Sequence, residues 1–169
     1  MAKRVNTKIG DIFSVAINET EKRYMQLIAF DETQLNSDVI RAFKKIYPIN
    51  EKPNLDEIVN GEIFFYAHCV TKFGVKFNLW ESVGNSQNVG NIQDILFRGS
   101  SDSGHRRGDE PIKISQNWYV WRINDAKFTH VGKLEGDYKK AELGVIVNPY
   151  DIVDRMKTGN YNFFYPDFE

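Results

Sequence analysis

The amino-acid sequence predicts a mainly β domain of the α+β class, with a single antiparallel, twisted sheet and two short helices. Short apolar and aromatic runs recur along the 169 residues, and clusters of turn-forming residues separate them. The composition, 41% hydrophobic and 14% aromatic, is that of a folded chain. The length suits one domain, which we expect to span residues 1–169 because no stretch has the composition of a linker.

The first two predicted strands form a hairpin. Residues 11–17 place Phe13, Val15 and Ile17 on one face of a strand, since side chains alternate along a strand. A polar turn follows, and residues 24–30 then supply a second apolar run. Because a short polar connection favours antiparallel neighbours, these two strands should pair.

Residues 39–47 permit two interpretations. Phe43 and Tyr47 fit the spacing of an amphipathic helix, whereas a strand would place Ile40 and Ala42 on one side. Periodicity alone slightly favours the helix.

Two helices are indicated by their ends. Asn54 can cap a helix over residues 55–59, whose first turn is acidic. Pro149 can open a second helix, which Gly159 terminates.

The remaining strands are predicted from β-forming residues. They cover residues 62–70, 76–80, 92–97, 118–123 and 127–131. Trp80 is expected to anchor the core, and Gly84 and Asn85 to form the turn after its strand. The tail at residues 161–168 is so aromatic that we expect it to pack on the body of the domain.

Composition disfavours several classes of protein. Lys and Arg number 22 against 23 Asp and Glu, and this balance argues against a dedicated nucleic-acid binder. A single Cys excludes a disulfide framework and a zinc site built from several thiolates. The sequence shows no secretory signal and no apolar run near the roughly 18 residues that a membrane span requires, so we expect a cytoplasmic protein.

The sequence offers no evident catalytic arrangement. His68 and Cys69 are consecutive strand residues that point to opposite faces, which predicts a half-buried imidazole and a buried thiol. None of the three His lies four residues from another on a helix, as many zinc sites require. Acidic pairs such as Asp31 and Glu32 fall in predicted turns, where solvation explains them. We therefore predict no enzyme, no catalytic residue, no metal site and no cofactor.

Residues 99–111 are predicted to form a mobile surface loop, because they include no large apolar residue. Within it, residues 99–104 have the length of a phosphate-binding loop but lack its terminal Lys-Ser/Thr. Its arginines can bind a phosphate or an acidic partner through forked hydrogen bonds. The candidate partner-binding residues are Asp102, His105, Arg106, Arg107, Asp109 and Glu110.

A small nucleic-acid-binding β-barrel is the alternative. It requires one surface patch made of the basic residues Lys3, Arg4, Lys8, Arg41, Lys44 and Lys45. Acidic residues are mixed among them throughout, so nucleic acid is the less favoured partner.

Four segments resemble a known family when they are taken together. They are KIGDIFSV at residues 8–15, RYMQLI at 23–28, PNLDEI at 53–58 and LWESVGN at 79–85. Their order resembles the immunity protein 26 family of bacterial polymorphic toxin systems, over roughly residues 8–97. A Gly-Asp-Ile segment before a hairpin also opens SH3-like barrels, so we expect the sheet to be SH3-like or barrel-like.

The resemblance implies a function by binding. Members of the family bind and neutralise a partner toxin, and the family supplies no catalytic residues to carry over. It also implies an extended segment at residues 39–47, which overrules the helix that periodicity favours there. The expected partner is a cognate toxin protein, blocked by steric occlusion, while the oligomeric state stays open.

Overall fold

The computed structural model describes residues 4–102 and 108–169, and within them the chain is mainly β with short helices. This confirms the predicted fold class. In this part of the chain the strands are β1 (Asp11–Ala16), β2 (Glu21–Asp31), β3 (Ser37–Phe43), β4 (Tyr47–Pro48), β5 (Ile63–His68), β6 (Glu81–Asn85), β7 (Leu96–Ser100), β8 (Trp118–Arg122), β9 (Thr129–Gly132) and β10 (Glu142–Leu143). The helices are α1 (Leu55–Val59), α2 (Thr71–Lys76) and α3 (Pro149–Thr158), with a 3₁₀-helix at Gly136–Lys140.

The described residues form two sheets where the sequence predicted one. Sheet I has the order β5-β3-β2-β1-β6, with β4 also paired to β2. Sheet II has the order β10-β7-β8-β9, and its β10–β7 pair is parallel. Residues 86–95, rich in Asn, Gln and Gly, lead away from the edge strand β6, and the next strand pairs with β8 instead. The sequence pattern marks strands but does not specify which edges pair, so it could not separate the two sheets.

Strand β3 confirms the extended interpretation of residues 39–47 over its range. Ile40 lies opposite Leu27 of β2 and Ala67 of β5, so β3 is an interior strand. Every residue of β3 except Asp38 is buried. A strand that is covered on both faces shows no alternation of apolar and polar residues, and this is why its periodicity imitated a helix.

Helices α1 and α3 begin and end where their caps predicted. The side chain of Asn54 accepts a hydrogen bond from the Glu57 amide at 3.2 Å, and Asn148 caps α3 in the same manner. Gly159 ends α3 with φ +87°, a backbone conformation that glycine adopts at little cost. The structure adds α2, so the described residues contain three α-helices and not two.

Residues 76–80, predicted as a strand, instead contain the end of α2 and a turn. Correspondingly, Gly84 and Asn85 lie inside β6 and do not form a turn after a strand. Phe77 and Leu79 alternate with polar neighbours in the sequence, and this alternation predicted a strand. In the structure both residues lie in the turn that follows α2.

The main core lies between one face of sheet I and α3. Phe13 and Val15 of β1 point into it, as predicted, and Ile152 and Met156 of α3 cover them. Trp80 is buried in the same cluster, which confirms it as a core anchor. Burying such large apolar side chains supplies most of the favourable free energy of folding.

The aromatic tail packs on the body of the domain, as predicted. Tyr161 and Phe163 extend the main core, and Tyr165 and Phe168 cover the cluster around Trp118 in sheet II. Phe164 is the exception among the aromatic residues of this tail, with 55% of its surface exposed.

A buried carboxylate joins the two sheets. Asp31, at the end of β2, accepts hydrogen bonds at Oδ2 from His68 Nε2 (2.8 Å) and Trp121 Nε1 (3.1 Å), and at Oδ1 from the Asn124 amide (3.3 Å). All three side chains of the Asp31–His68–Trp121 group are fully or almost fully buried. The expectations of a solvated Asp31 and a half-buried His68 are therefore wrong, because long-range partners satisfy both groups in the interior.

The two ionisable members of this group differ: the structure favours the charged form of Asp31 and the neutral form of His68. Burial on its own raises the pKa of Asp31, but the hydrogen bonds from His68, Trp121 and Asn124 outweigh this, and the pKa lies below its ordinary value of 3.8. Burial lowers the pKa of His68 below 6.5, and Asp31 offsets only part of this effect. His68 Nδ1 has no hydrogen-bond partner in the described part of the chain, so a proton there would be a buried donor without an acceptor.

We expect the domain to lose stability as the pH falls from 7 to 5.5. The folded state favours neutral His68, so the unfolded chain binds more protons below pH 6.5, and the free energy of unfolding decreases. Urea denaturation of the wild type, His68→Gln and His130→Gln measures this. His130→Gln is the control, because His130 is exposed, and it should keep the wild-type pH dependence of stability. His68→Gln should be less stable than the wild type at pH 7, but its stability should depend much less on pH. An undiminished pH dependence in His68→Gln would contradict the assignment.

Candidate protein-binding surface

Helix α2 is short, and local hydrogen bonds define its end. The Leu79 amide donates to the Gly74 carbonyl at 2.9 Å, and the Asn78 amide donates to the Val75 carbonyl at 3.1 Å. Asn78 has φ +57°. These are the two bonds and the left-handed residue of a Schellman motif, in which Asn is the usual substitute for Gly.

The inner side of α2 is fixed to the core through Trp80. Trp80 Nε1 donates to the Thr71 carbonyl at 3.0 Å, and its ring lies directly against Gly74. At the start of the helix, Asp38 of β3 accepts hydrogen bonds from the Thr71 amide (2.9 Å) and hydroxyl (2.6 Å). Residues outside the helix therefore hold its first residue, Thr71, and pack against its buried side at Gly74.

Exposed rings from α2, from the residue that caps its end and from α3 form a stack, which we call the aromatic surface: Phe73, Phe77 and Tyr150. Phe73 and Phe77 have centroids 6.1 Å apart and planes inclined by 15°, and Phe77 and Tyr150 are 5.9 Å apart at 16°. Their exposed fractions are 38%, 48% and 55%. A contiguous group of large exposed rings on a fixed base is typical of an interaction site.

Two lysines give the aromatic surface a positive margin. The ammonium groups of Lys72 and Lys76 lie 5.6 and 5.9 Å from the centre of the Phe73 ring. A groove of about 440 Å³ adjoins Lys72 and is bordered by Phe30 and Thr7. The arrangement can bury aromatic rings against a partner while the lysines meet its acidic groups.

The predicted loop residues divide into three groups. Asp102 accepts hydrogen bonds from Ser115 Oγ (3.0 Å) and from Asn117 Nδ2 (3.0 Å), so it holds the base of the loop. Asp109 and Glu110 are exposed and free to meet a partner. His105, Arg106 and Arg107 lie outside the described residues. Gly99 and Ser100 are buried residues of β7, so the predicted surface loop begins after them.

The basic residues of the nucleic-acid alternative do not share one accessible patch. Arg41 is buried and donates to Gln26 Oε1 (2.9 Å) and to the carbonyl oxygens of Val59 and Asn88. Lys44 and Lys45 are exposed and pair with Glu62 and Glu57; Lys3 lies outside the described residues.

The structure also places the remaining candidate groups for chemistry. Cys69 is buried, and burial raises the pKa of its thiol, so the thiolate nucleophile is disfavoured. Among residues 4–102 and 108–169, no three His, Cys or acidic side chains converge in a manner suited to a metal ion.

The aromatic surface was not found by the sequence reasoning, although the sequence carries signals for it. Phe73 and Phe77 are four residues apart and therefore neighbours on one helix face, and Asn78 follows as a helix terminator. Tyr150 reaches the same place from a distant helix, and no local pattern predicts that contact.

Comparison with known proteins found no matching family model, no matching curated protein and no matching solved structure. The resemblance to the immunity protein 26 family therefore stays a hypothesis that rests on the four segments. Over residues 4–102 and 108–169, none of the helices combines the length and the apolar character that crossing a membrane requires.

We expect Gly74→Ala to loosen α2. A Cβ at this position lies 1.9 Å from Trp80 Cε2, and overpacking of this kind lowers the free energy of unfolding by about 1–3 kcal/mol. Lys72→Ala, on the exposed side of the same helix, is the matched control and should change it by less than about 0.5 kcal/mol. Chemical denaturation measures both. The double variant Gly74→Ala/Trp80→Phe should recover part of the loss, and strict additivity would show that the clash is not the cause.

Proposed function

We propose that this chain is a cytoplasmic immunity protein that binds a cognate toxin and blocks its active face by steric occlusion. The observation that carries the proposal is the aromatic surface, three stacked and exposed rings on a base that Trp80 and Asp38 hold rigid. The resemblance of residues 8–97 to the immunity protein 26 family supports the same class of function.

The aromatic surface suits tight binding because its rings need little reorganisation. Phe73, Phe77 and Tyr150 already contact one another, so little side-chain entropy remains to be lost on association. Rings of this type dominate the energetics of interfaces, while the surrounding contacts mainly exclude water. A standard interface of roughly 1,200–2,000 Å² would cover this surface and the adjoining groove together.

The loop residues Asp102, His105, Arg106, Arg107, Asp109 and Glu110 remain the second part of the proposed interface. Asp102 contributes by fixing the base of the loop through Ser115 and Asn117. The charged residues beyond it offer both signs to a partner, so the loop adds specificity to the affinity that the rings provide.

The nucleic-acid alternative has one observation in its favour. Exposed rings beside Lys72 and Lys76 also occur where single-stranded nucleic acids stack on a protein. The rings here stack on one another, however, which leaves fewer free faces for bases. Protein binding is therefore the better-supported function.

We expect Phe77→Ser to abolish protection without unfolding the domain. The probe is the toxin domain encoded by the large open reading frame immediately upstream of the gene, tested by co-expression and by calorimetry. Loss of one central ring should raise Kd by at least about 30-fold, the equivalent of about 2 kcal/mol. Phe164→Ser, which removes a ring of similar exposure in the tail, is the matched control and should bind as the wild type does. A wild type that neither binds nor protects overturns the proposal.

A second variant separates the two proposed parts of the interface. Asp109→Ala/Glu110→Ala should leave the melting temperature within about 2 °C of the wild type, because both residues are exposed and exposed substitutions change stability little. Its Kd for the same toxin domain should rise by about tenfold, mainly through slower association at low salt. An unchanged Kd restricts the interface to the aromatic surface.

Salt distinguishes protein binding from nucleic-acid binding. We expect a fluorescent single-stranded DNA of 20 nucleotides to bind weakly, if at all, at 150 mM NaCl. Binding that strengthens steeply as the salt falls, and that Phe77→Ser weakens, would favour the nucleic-acid alternative instead.

A further inference from the structure

A second cleft lies where β7, β10, the end of α3 and the tail meet. Its volume is about 380 Å³. Arg98 and Arg155 line the cleft together with three aromatic residues, Tyr161, Phe163 and Tyr165. This cleft combines cations with rings and uses none of the residues of the aromatic surface.

Most of the cations around the cleft already have acidic partners. Arg155 donates to both carboxylate oxygens of Glu142, at 2.9 and 3.4 Å. Lys139 pairs with Glu169, and Lys140 lies 3.4 Å from Asp137. These pairs neutralise one another.

Arg98 differs from them. Within the described ranges, no carboxylate lies within 4.0 Å of its guanidinium, which donates through Nη1 to the Ala141 carbonyl. The guanidinium lies 5.4 Å from the centre of the Trp118 ring and 5.2 Å from that of Phe168. Its Nε is buried and has no hydrogen-bond partner among the residues that the structure describes.

An unpaired cation in this setting is costly. Burial lowers the pKa of Arg98, and the charges of Glu142 and Asp167 raise it again without contacting the group. A guanidinium carries five N–H donors, and a desolvated one gains most from an anion that accepts two of them side by side. The structure therefore offers a half-buried donor site and an open cleft next to it.

We propose that this cleft binds an organic carboxylate with an aromatic or apolar body, its carboxylate meeting Arg98 and its body lying against Tyr161, Phe163 and Tyr165. The fork geometry of Arg98 matches a carboxylate. Glu142, on the same wall, disfavours a dianion such as phosphate. The inference is independent of the toxin-binding proposal, since it concerns different residues.

The test uses benzoate as the probe, with benzamide as its neutral isostere and inorganic phosphate as the competing anion, all at constant ionic strength. Calorimetry and side-chain NMR of the wild type measure binding. We expect benzoate to bind with a Kd at or below about 10 mM and to shift the Nε–Hε signal of Arg98. Benzamide and phosphate should bind at least tenfold more weakly. Equal binding of benzamide, or tighter binding of phosphate, overturns the proposal.

Variants locate the site. Arg98→Gln should raise the Kd of benzoate at least tenfold, whereas Arg122→Gln, an exposed arginine of the same sheet that lines a different cleft, should leave it unchanged. Since Arg98→Gln removes a half-buried side chain, Arg98→Lys provides a variant that keeps the charge but not the fork, and it should bind with intermediate affinity. Wild-type affinity in a folded Arg98→Gln or Arg98→Lys variant excludes this cleft as the site.

Discussion

The arrangement of the two sheets depends on one carboxylate. Asp31 is fully buried, and a buried charge is tolerated only when its lone pairs are satisfied. The donors come from β5, from β8 and from the turn after β8, as His68, Trp121 and Asn124. His68 belongs to sheet I, so sliding of sheet II would remove Trp121 and Asn124 and leave the buried carboxylate with only one of these three donors; Asp31 therefore favours one position of sheet II on sheet I. Apolar contacts around Phe97 stabilise the packing of the two sheets, and the hydrogen bonds of Asp31 determine how the sheets are aligned.

Local features of the fold were readable in the sequence, whereas its long-range pairings were not. Asn54 and Asn148 act on amides two or three residues away, so their caps are visible in a short window. The inward face of β1 follows from alternation alone. The assignment of strands to sheets is different. After residues 86–95, β7 pairs with β8 and not with β6, and no short stretch of sequence shows which edge a strand will join. The strand prediction for residues 76–80 was wrong because the end of a helix and the turn after it happen to alternate apolar and polar residues.

The candidate sites show the same division. Composition predicted a charged loop at residues 99–111, but it did not predict that Gly99 and Ser100 belong to β7 or that Asp102 bonds to Asn117. The aromatic surface has a local half, Phe73 and Phe77, which helical spacing could have revealed, and a distant half, Tyr150. The isolation of Arg98 is wholly a property of the folded state, because its distance from every described carboxylate depends on where β10 and the tail lie.

These distant contacts determine how late in its synthesis the chain can complete its fold. The strands of sheet I are complete by Asn85, yet the donors Trp121 and Asn124 emerge from the ribosome much later. The Val147 amide then bonds the carbonyl of His68, and the Ser115 amide bonds that of Asp167. A nascent N-terminal half thus holds a carboxylate with only one of these three donors, His68, in what will be its interior, and productive closure awaits almost the entire polypeptide. Interrupted translation would therefore yield fragments without a binding-competent shape.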